Sequence, residues 1–279
     1  MDSYMDNLVR SFSQINKTLA GVIEANRGQG TGLYGMYNDA HFLSIKLLNH
    51  AVSMNKIFQS TDLIELDGLS LSFCDYSSII ALARSSIETY LVFFWLFISP
   101  KSISERNLTY LSWRLTGSNL RLKFSSLKDE NDPVMAAEKT HNQELMRKIK
   151  RSAEWKRMSA GKRDSYLKRL KQNHGVRPQW NDLIVASELS NGFKYTYKFF
   201  CEHAHSGRTA VCQIYTSHND IVAQRQMCGL PLKMVRFVIA CLIIDYSKLF
   251  KPSAKWLSAN EEHYQRALLH SDLAKIGLG

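Results

Sequence analysis

Two pairs of residues have types and spacings that could do chemistry on an anionic group. Arg84 and Glu88 stand four residues apart in a predicted helix, so the two side chains share one face. His205 and Arg208 flank the predicted end of a later helix. A histidine beside a fixed positive charge suits general acid–base work on a phosphodiester. The sequence therefore predicts candidate catalytic residues in two helices that are far apart along the chain.

Each pair also has a purely structural interpretation. Arg84 lies about 40° from the centre of its helix's apolar stripe, so it is not simply solvated. It either forms a buried ion pair with Glu88 or faces an anionic group in a cleft. In the same way, His205 either acts as an acid or base or caps its helix beside an exposed Arg208.

The helix that ends near His205 carries further polar side chains. Tyr197, Cys201 and His205 recur every fourth residue and line one face, while His203 points away. Tyr197 therefore joins the candidate site. A zinc site formed by Cys201, His203, His205 and Cys212 would need this helix to break early, because the two histidines diverge by about 200° on a regular helix. We predict neither a metal nor a cofactor.

A strongly basic segment lies between the two candidate helices. The chain has a formal net charge of +11, and Arg147 to Lys171 alone holds eleven basic and two acidic residues. Such a concentration of charge predicts RNA or another polyanion as the partner. The candidate contacts are four cations and two aromatic rings that could stack on bases, namely Lys162, Arg163, Lys168, Arg169, Trp155 and Tyr166. A solvated, charged hairpin is the alternative.

The elements that position these residues are predicted to be helices. The 279 residues include only 14 Gly and 5 Pro, and apolar residues recur at helical spacing, which leaves little room for strands. We expect one all-α, multi-helix bundle formed by residues 1–127 and 175–279, with a charged helical insertion at 128–174. The predicted inward residues of the first two helices are Leu8, Phe12, Ile15, Leu19, Phe42, Ile45, Leu48 and Val52.

Several local signals place the remaining helix ends. Ser102 and Glu105 have the spacing of a capping box after Pro100, and Pro231 suits a first helical position. Ser258 is the predicted cap of a last helix that runs to about residue 276.

Cellular location can also be predicted from the sequence. The apolar segments 77–100 and 232–250 contain charged residues that are costly in lipid, so they are expected to be core helices and not membrane spans. Five cysteines without paired spacing, together with no secretion signal, predict free thiols in a cytoplasmic protein.

The two candidate helices carry a family resemblance. Arg84-Ser-Ser-Ile-Glu88, followed by Tyr197-x-x-x-Cys201-x-x-x-His205, resembles an uncharacterised bacterial all-helical family related to the HEPN domains. That family has an Arg-x-x-x-Glu helix and a later Tyr-x-x-x-Ser-x-x-x-His helix. The resemblance covers about residues 71–211 without the basic segment, and Cys201 stands where serine is usual.

The resemblance implies a function as well as a HEPN-like fold. HEPN domains often act in toxin–antitoxin or antiphage defence, some as metal-independent ribonucleases. In that chemistry the ribose 2′-hydroxyl attacks the adjacent phosphate. By this resemblance His205 is the acid or base, Arg84 and Arg208 stabilise the phosphate, and Glu88 orients Arg84. A protein partner from a defence system is then expected.

The sequence lacks a convincing ribonuclease motif, which leaves a second function open. The only Arg-x(4–6)-His match, Arg169 to His174, is uninformative because chance gives about 1.5 matches in a chain of this composition. The alternative is a non-catalytic helical scaffold or regulatory module that self-associates, for example as a homodimer, through one face of the bundle.

Overall fold

The computed structural model describes residues 3–28, 34–59, 61–66, 69–125, 133–172 and 175–277, and almost all of this chain is helical. The all-α fold class is therefore confirmed. A short π-helical turn, Phe94–Ile98, continues the third helix. The helices in chain order are α1 (Ser3–Glu24), α2 (Tyr34–Phe58), α3 (Tyr76–Phe93), α4 (Ile103–Ser125), α5 (Pro133–Arg151), α6 (Ala153–Arg157), α7 (Ala160–Leu170), α8 (Trp180–Ala186), α9 (Asn191–Ala204), α10 (Arg208–Ser217), α11 (Ile221–Met227), α12 (Gly229–Leu249), α13 (Lys251–Ala259) and α14 (Glu261–Ile276).

One β-hairpin interrupts the helices, which the sequence analysis did not predict. Strands β1 (Thr61–Leu66) and β2 (Leu69–Phe73) pair antiparallel, with Leu63 opposite Leu71 and an irregularity between Ile64 and Leu66. The signal for it is the alternation of apolar residues and serine in β2, preceded by the dipeptide Asp-Gly at 67–68. A strand pair this short leaves only a weak pattern among long helical segments.

The chain divides into two compact units, residues 1–94 with 180–279, and residues 95–179. The second unit begins much earlier than the predicted insertion, because α4 belongs to it and not to the bundle. The predicted boundaries near 127–128 and 174 lie within 126–132 and 173–174, which are outside the described residues.

The first unit is built around α12. This helix packs against α1, α3 and α14, and its central residues are buried on every side. The predicted inward face of α1 is confirmed, since Leu8, Phe12, Ile15 and Leu19 are all buried. Two hydrogen bonds join α1 to α14. Ser11 Oγ lies 3.2 Å from His270 Nε2, and Thr18 Oγ1 lies 2.7 Å from His263 Nδ1.

The predicted inward face of α2 is wrong. Phe42 and Val52 are 64% and 47% exposed, and the buried face instead carries residues that are mostly smaller. This face packs against α3, and small side chains allow two helices to approach closely. Its buried residues are Ala40, Ser44, Leu47, Ala51 and Met54.

The second unit has a hydrophobic core of its own. Helix α4 supplies Leu108 and Leu115, and these pack with Leu145, Ile149 and Leu170 from the helices that follow. The charged helices of this segment therefore pack onto α4 through their apolar residues. Each of its helices carries only a few apolar residues, and the core becomes visible only when α4 is included.

The predicted helix ends are partly confirmed. Glu105 N donates to Ser102 Oγ at 3.1 Å, as in a capping box, whereas Glu105 Oε2 accepts from Lys101 N at 2.8 Å, one residue before the cap. The last helix does end at residue 276, but its N-cap is Asn260 and not Ser258. Helix α12 begins at Gly229, two residues before Pro231.

Two described helical segments are long and apolar enough to cross a membrane, Tyr76–Ile98 and Ile221–Leu249. In these segments 61% and 67% of the apolar window is buried inside the protein. This is the burial expected of core helices, as the charged residues within both segments predict.

Candidate functional site

Helix α3 places Arg84 and Glu88 on one face. The helix begins where Asp75 Oδ1 accepts a hydrogen bond from Ser78 N at 3.0 Å, and four residues of spacing then align the two side chains. Arg84 Nε donates to Glu88 Oε1 at 3.0 Å, and the two side chains are 22% and 26% exposed. The pair is thus only partly buried and remains reachable from solvent.

Helix α9 brings Tyr197 onto this pair. The Tyr197 hydroxyl donates to Glu88 Oε1 at 2.7 Å, so a single carboxylate oxygen accepts from both Arg84 and Tyr197. The Arg84 guanidinium also lies 5.9 Å from the centre of the Tyr197 ring, within cation–π range. On another side the Tyr197 ring contacts Trp180 of α8 at 6.4 Å between centroids. Tyr197 therefore fixes where Arg84 can lie.

His205 completes the cluster from the C-terminal end of α9. Its Nε2 lies 3.1 Å from Arg84 Nη1, although 121 residues separate the two in sequence. Since a guanidinium only donates hydrogen bonds, Nε2 must be the acceptor and the ring proton sits on Nδ1. In this state the imidazole is neutral, exposed to solvent and aligned by Arg84.

The backbone after His205 forms a well-defined end to helix α9. Ser206 adopts a left-handed conformation with φ 53°, its N–H donates to His203 O, and Gly207 N donates to Glu202 O at 2.7 Å. These bonds form a Schellman motif, the usual end of a helix whose next residue is left-handed. A Cβ on Gly207 would overlap the Glu202 carboxylate, so glycine allows this close turn. We name Arg84, Glu88, Tyr197 and His205 the Arg84–His205 cluster.

Arg208, the fifth predicted residue, begins α10 directly after this turn and is exposed. Among the described contacts, no hydrogen bond or ion pair joins Arg208 to the Arg84–His205 cluster. The structure thus brings four of the five predicted residues together and leaves Arg208 beside them in sequence as a solvated cation.

The cluster fixes the protonation of two of its members. Burial acts to lower the pKa of Arg84, but the Tyr197 hydrogen bond and the Glu88 charge outweigh it and raise that pKa. Burial, the hydrogen bond to Glu88 and the Glu88 charge all raise the pKa of Tyr197 well above its ordinary value. Arg84 therefore stays a cation and Tyr197 stays a hydrogen-bond donor.

The other candidate zinc ligands of α9 and α10 differ in their surroundings. His203 is buried on another side of α9, where Nε2 lies 2.8 Å from Gln213 Oε1 and Nδ1 lies 3.4 Å from Ser77 Oγ. Cys201 is half-buried and Cys212 is exposed. Within the described part of the chain, no group of three His, Cys, Asp or Glu side chains is placed to hold a metal ion.

The predicted polyanion contacts of the second unit differ in their availability. Lys162 and Lys168 are exposed, whereas Arg163 Nη2 donates to Lys156 O at 2.7 Å and Arg169 Nη2 donates to Val176 O at 2.8 Å. Both arginines therefore also hold the backbone of their own unit. The Arg169 to His174 motif lies partly outside the described residues, because His174 is not among them.

The two aromatic residues predicted to stack on bases pack in or against the hydrophobic core of the second unit. Trp155 is 7% exposed and packs edge-on against Tyr166 with 6.0 Å between ring centroids. The Tyr166 hydroxyl lies 2.7 Å from Ser112 Oγ. The expectation that these rings are free to stack on bases is therefore wrong in this structure. Sequence patterns could not show that Trp155 is buried, because the core that covers it includes residues of α4.

Other cations of the second unit, which the sequence analysis did not name as RNA contacts, are exposed like Lys162 and Lys168. They lie along α5 and α6 and just after α7. These residues are Arg147, Lys148, Lys150, Arg151, Lys156 and Lys171. We name this set, with Lys162 and Lys168, the basic surface. The density of Lys and Arg in the segment is the signal that locates it.

The fold and the Arg84–His205 cluster define an all-α protein with a polar site between two of its helices. The comparison with protein families adds that the chain belongs to DUF5677, a family of unknown function whose model matches residues 44–220. The match includes α3, α9 and all four residues of the cluster. The comparison with curated proteins gave no match, and neither did the comparison with solved structures.

Proposed function

We propose that this protein is a HEPN-like helical protein that binds RNA and cleaves it at the Arg84–His205 cluster without a metal ion. The observation that carries the proposal is the 3.1 Å contact between Arg84 Nη1 and His205 Nε2 at a solvent-exposed helix end. A fixed cation beside a neutral imidazole can hold a phosphate and accept a proton from its neighbour. The resemblance described above supplies the expectation of RNA and of a role in toxin–antitoxin or antiphage defence.

The proposed reaction is transesterification at one phosphodiester. His205 Nε2 exchanges its hydrogen bond from Arg84 for one from the ribose 2′-hydroxyl and takes that proton, the 2′-oxygen forms a bond to phosphorus, and the bond to the 5′-oxygen breaks. The leaving oxygen receives a proton from water or from the protonated His205. The products are a 2′,3′-cyclic phosphate and a 5′-hydroxyl.

The remaining residues of the cluster act on charge and position. Arg84 stabilises the negative charge that builds up on the phosphate, and Arg208 adds a second, mobile cation. Glu88 and Tyr197 keep Arg84 in place, since one carboxylate oxygen accepts from both at 3.0 and 2.7 Å. Because the guanidinium is already aligned, RNA binding does not have to orient it.

The cleavage test uses the purified full chain and a single-stranded RNA labelled at its 5′ end, in the presence of EDTA. We expect cleavage products that end in a 2′,3′-cyclic phosphate, and no cleavage of DNA of the same sequence because DNA lacks the 2′-hydroxyl. Replacing a general acid–base residue costs about 100- to 10,000-fold in rate, so His205→Ala should lose at least that lower factor. His218→Ala is the matched control, because His218 also caps an exposed helix end.

Cleavage that His205→Ala leaves unchanged would overturn the assignment of the site. Cleavage that needs added metal ions would overturn the metal-independent mechanism. Binding without cleavage would leave the protein as an RNA-binding module.

The basic surface is proposed to bind the RNA backbone. Each phosphate contact to a single strand releases counterions and contributes about −0.7 to the slope of log K against log salt. Lys162→Ala/Lys168→Ala should therefore make the slope less steep by about 1.4 if both lysines contact phosphates. Arg163 and Arg169 are left intact because their backbone hydrogen bonds would confound the result. An unchanged slope would exclude these two lysines from binding.

A second candidate function, a non-catalytic scaffold that self-associates, is favoured by one observation. Val211 and Tyr215 stand four residues apart on α10 and are 54% and 76% exposed. Exposed apolar side chains on one face of a helix are typical of association surfaces. A dimer in analytical ultracentrifugation that Tyr215→Ser dissociates, combined with no RNA binding, would favour this function over the first.

A further inference from the structure

Two buried cysteines outside the Arg84–His205 cluster lie in direct contact. Cys74 follows β2, and Cys228 joins α11 to α12, so 154 residues separate them in sequence. Their sulfur atoms are 3.6 Å apart, and the residues are 2% and 0% exposed. A disulfide needs these sulfurs to approach from 3.6 Å to about 2.05 Å.

The backbone around both cysteines is held in position by one buried glutamine. Gln224 Oε1 accepts a hydrogen bond from Cys74 N at 2.8 Å, and Gln224 Nε2 donates to Ser217 O at 2.9 Å. Cys228 Sγ lies 3.4 Å from Gln224 O. The two thiols are thus kept together by polar contacts and not only by apolar packing.

The two thiols are chemically unequal. The hydrogen bond with Cys228 and the nearby charge of Arg225 lower the pKa of Cys74, against the opposing effect of burial. The same hydrogen bond, together with burial, raises the pKa of Cys228. A thiolate is the nucleophilic form of cysteine, so Cys74 is the residue to react first and Cys228 is the second thiol.

We propose that Cys74 and Cys228 form a reversible intramolecular disulfide when the protein encounters a hydroperoxide. With hydrogen peroxide, the Cys74 thiolate attacks one oxygen, an S–O bond forms, the O–O bond breaks and one water leaves after protonation. The Cys228 sulfur then attacks the sulfenic sulfur of Cys74, the S–S bond forms, and hydroxide leaves with the Cys228 proton as a second water. The two thiols lose two electrons and the peroxide gains them.

The bond would fasten two distant parts of the first unit to each other. One end is the junction between the hairpin and α3, the helix of Arg84 and Glu88. The other end is the junction between α11 and the central helix α12. The other three cysteines have no such partner: Cys241 lies beside Ser271 with 3.7 Å between Sγ and Oγ, Cys201 is half-buried and Cys212 is exposed.

The test uses the full chain, reduced, desalted and treated with two equivalents of hydrogen peroxide. Remaining thiols are blocked with N-ethylmaleimide, and the tryptic peptides are measured by mass spectrometry without reduction. We expect peptides 57–84 and 226–233 to appear cross-linked, two hydrogens lighter than their sum, and to separate again with dithiothreitol. Cys228→Ser should abolish the cross-link, and the matched control Cys241→Ser should retain it.

The unmodified chain alone can refute the proposal. Recovery of both peptides in their maleimide-blocked form, while exposed Cys212 is oxidised, would show that Cys74 and Cys228 do not form this bond. Oxidation of Cys74 to sulfinic acid without a cross-link would also overturn it. None of these outcomes depends on RNA cleavage, so the result is independent of the proposed function.

Discussion

Removing Glu88 tests whether the Arg84–His205 cluster is held together as described. Hydrogen bonds to a charged group contribute about 1.5–3 kcal/mol each, and Glu88 accepts two, from Arg84 and Tyr197. Both side chains of the ion pair are about a quarter exposed, at 22% and 26%, which reduces that contribution. We therefore expect Glu88→Ala to lower the free energy of unfolding by about 2 kcal/mol, less than the 3–5 kcal/mol of a fully buried pair.

Urea unfolding followed by circular dichroism gives this number, and the chain supplies a matched control. Glu262 forms an ion pair with Arg266 at the same four-residue spacing, but its side chain is 82% exposed. Glu262→Ala should therefore cost about 0.5 kcal/mol or less. Equal losses in the two variants would refute the inference that Glu88 is the centre of the cluster.

A double-mutant cycle sharpens the same prediction. Tyr197→Phe removes only the hydroxyl that donates to Glu88 Oε1 at 2.7 Å. If that hydrogen bond forms, Glu88→Ala and Tyr197→Phe should be coupled by about 1 kcal/mol. A coupling energy near zero would mean that Tyr197 does not hold Glu88.

The remaining predictions concern acid sensitivity and packing. Burial and the neighbouring arginines lower the pKa of His270 to about 4. Between about pH 6.5 and pH 4, the unfolded chain binds a proton at this histidine that the folded chain does not bind. The free energy of unfolding should therefore fall as the pH falls through this window. The full loss is about 3 kcal/mol, which His270→Gln should remove and exposed His218→Gln should not. Gly21→Ala should destabilise the fold by about 1–3 kcal/mol, because its Cβ would overlap the Trp256 indole. Gly117→Ala, with nothing within 4 Å, should stabilise α4 by up to about 1 kcal/mol. Calorimetric melting curves check both glycine variants, and the opposite sign in either would contradict the packing.

Local patterns predicted the parts of the fold that depend on one helix at a time. The apolar stripe of α1 and the capping box at Ser102 were both visible in the sequence, because helical spacing and cap residues are local signals. The face of α2 was not, since its orientation depends on how closely its small residues approach α3. Phe42 therefore faces solvent although its type favours burial.

The candidate site shows the same division. The spacing of Arg84 and Glu88 predicted that the two side chains share one face, and their ion pair was one of the two interpretations of Arg84. Which atom meets which partner could not be predicted, because the single oxygen shared by Arg84 and Tyr197 depends on the packing of α3 against α9. Likewise, the burial of Trp155 depends on α4, which the sequence analysis placed in the main bundle.

The contact between α1 and α14 has a consequence for how the chain is made. The apolar face of α1 leaves the ribosome well before the helices that cover it, α12 and α14. Residues 95–179, by contrast, form a continuous unit that can fold while translation proceeds. During the synthesis of that unit, Leu8, Phe12 and Ile15 have no final partners from α12 or α14. The nascent chain is therefore expected to depend on a chaperone that shields the α1 surface until residues 180–279 emerge.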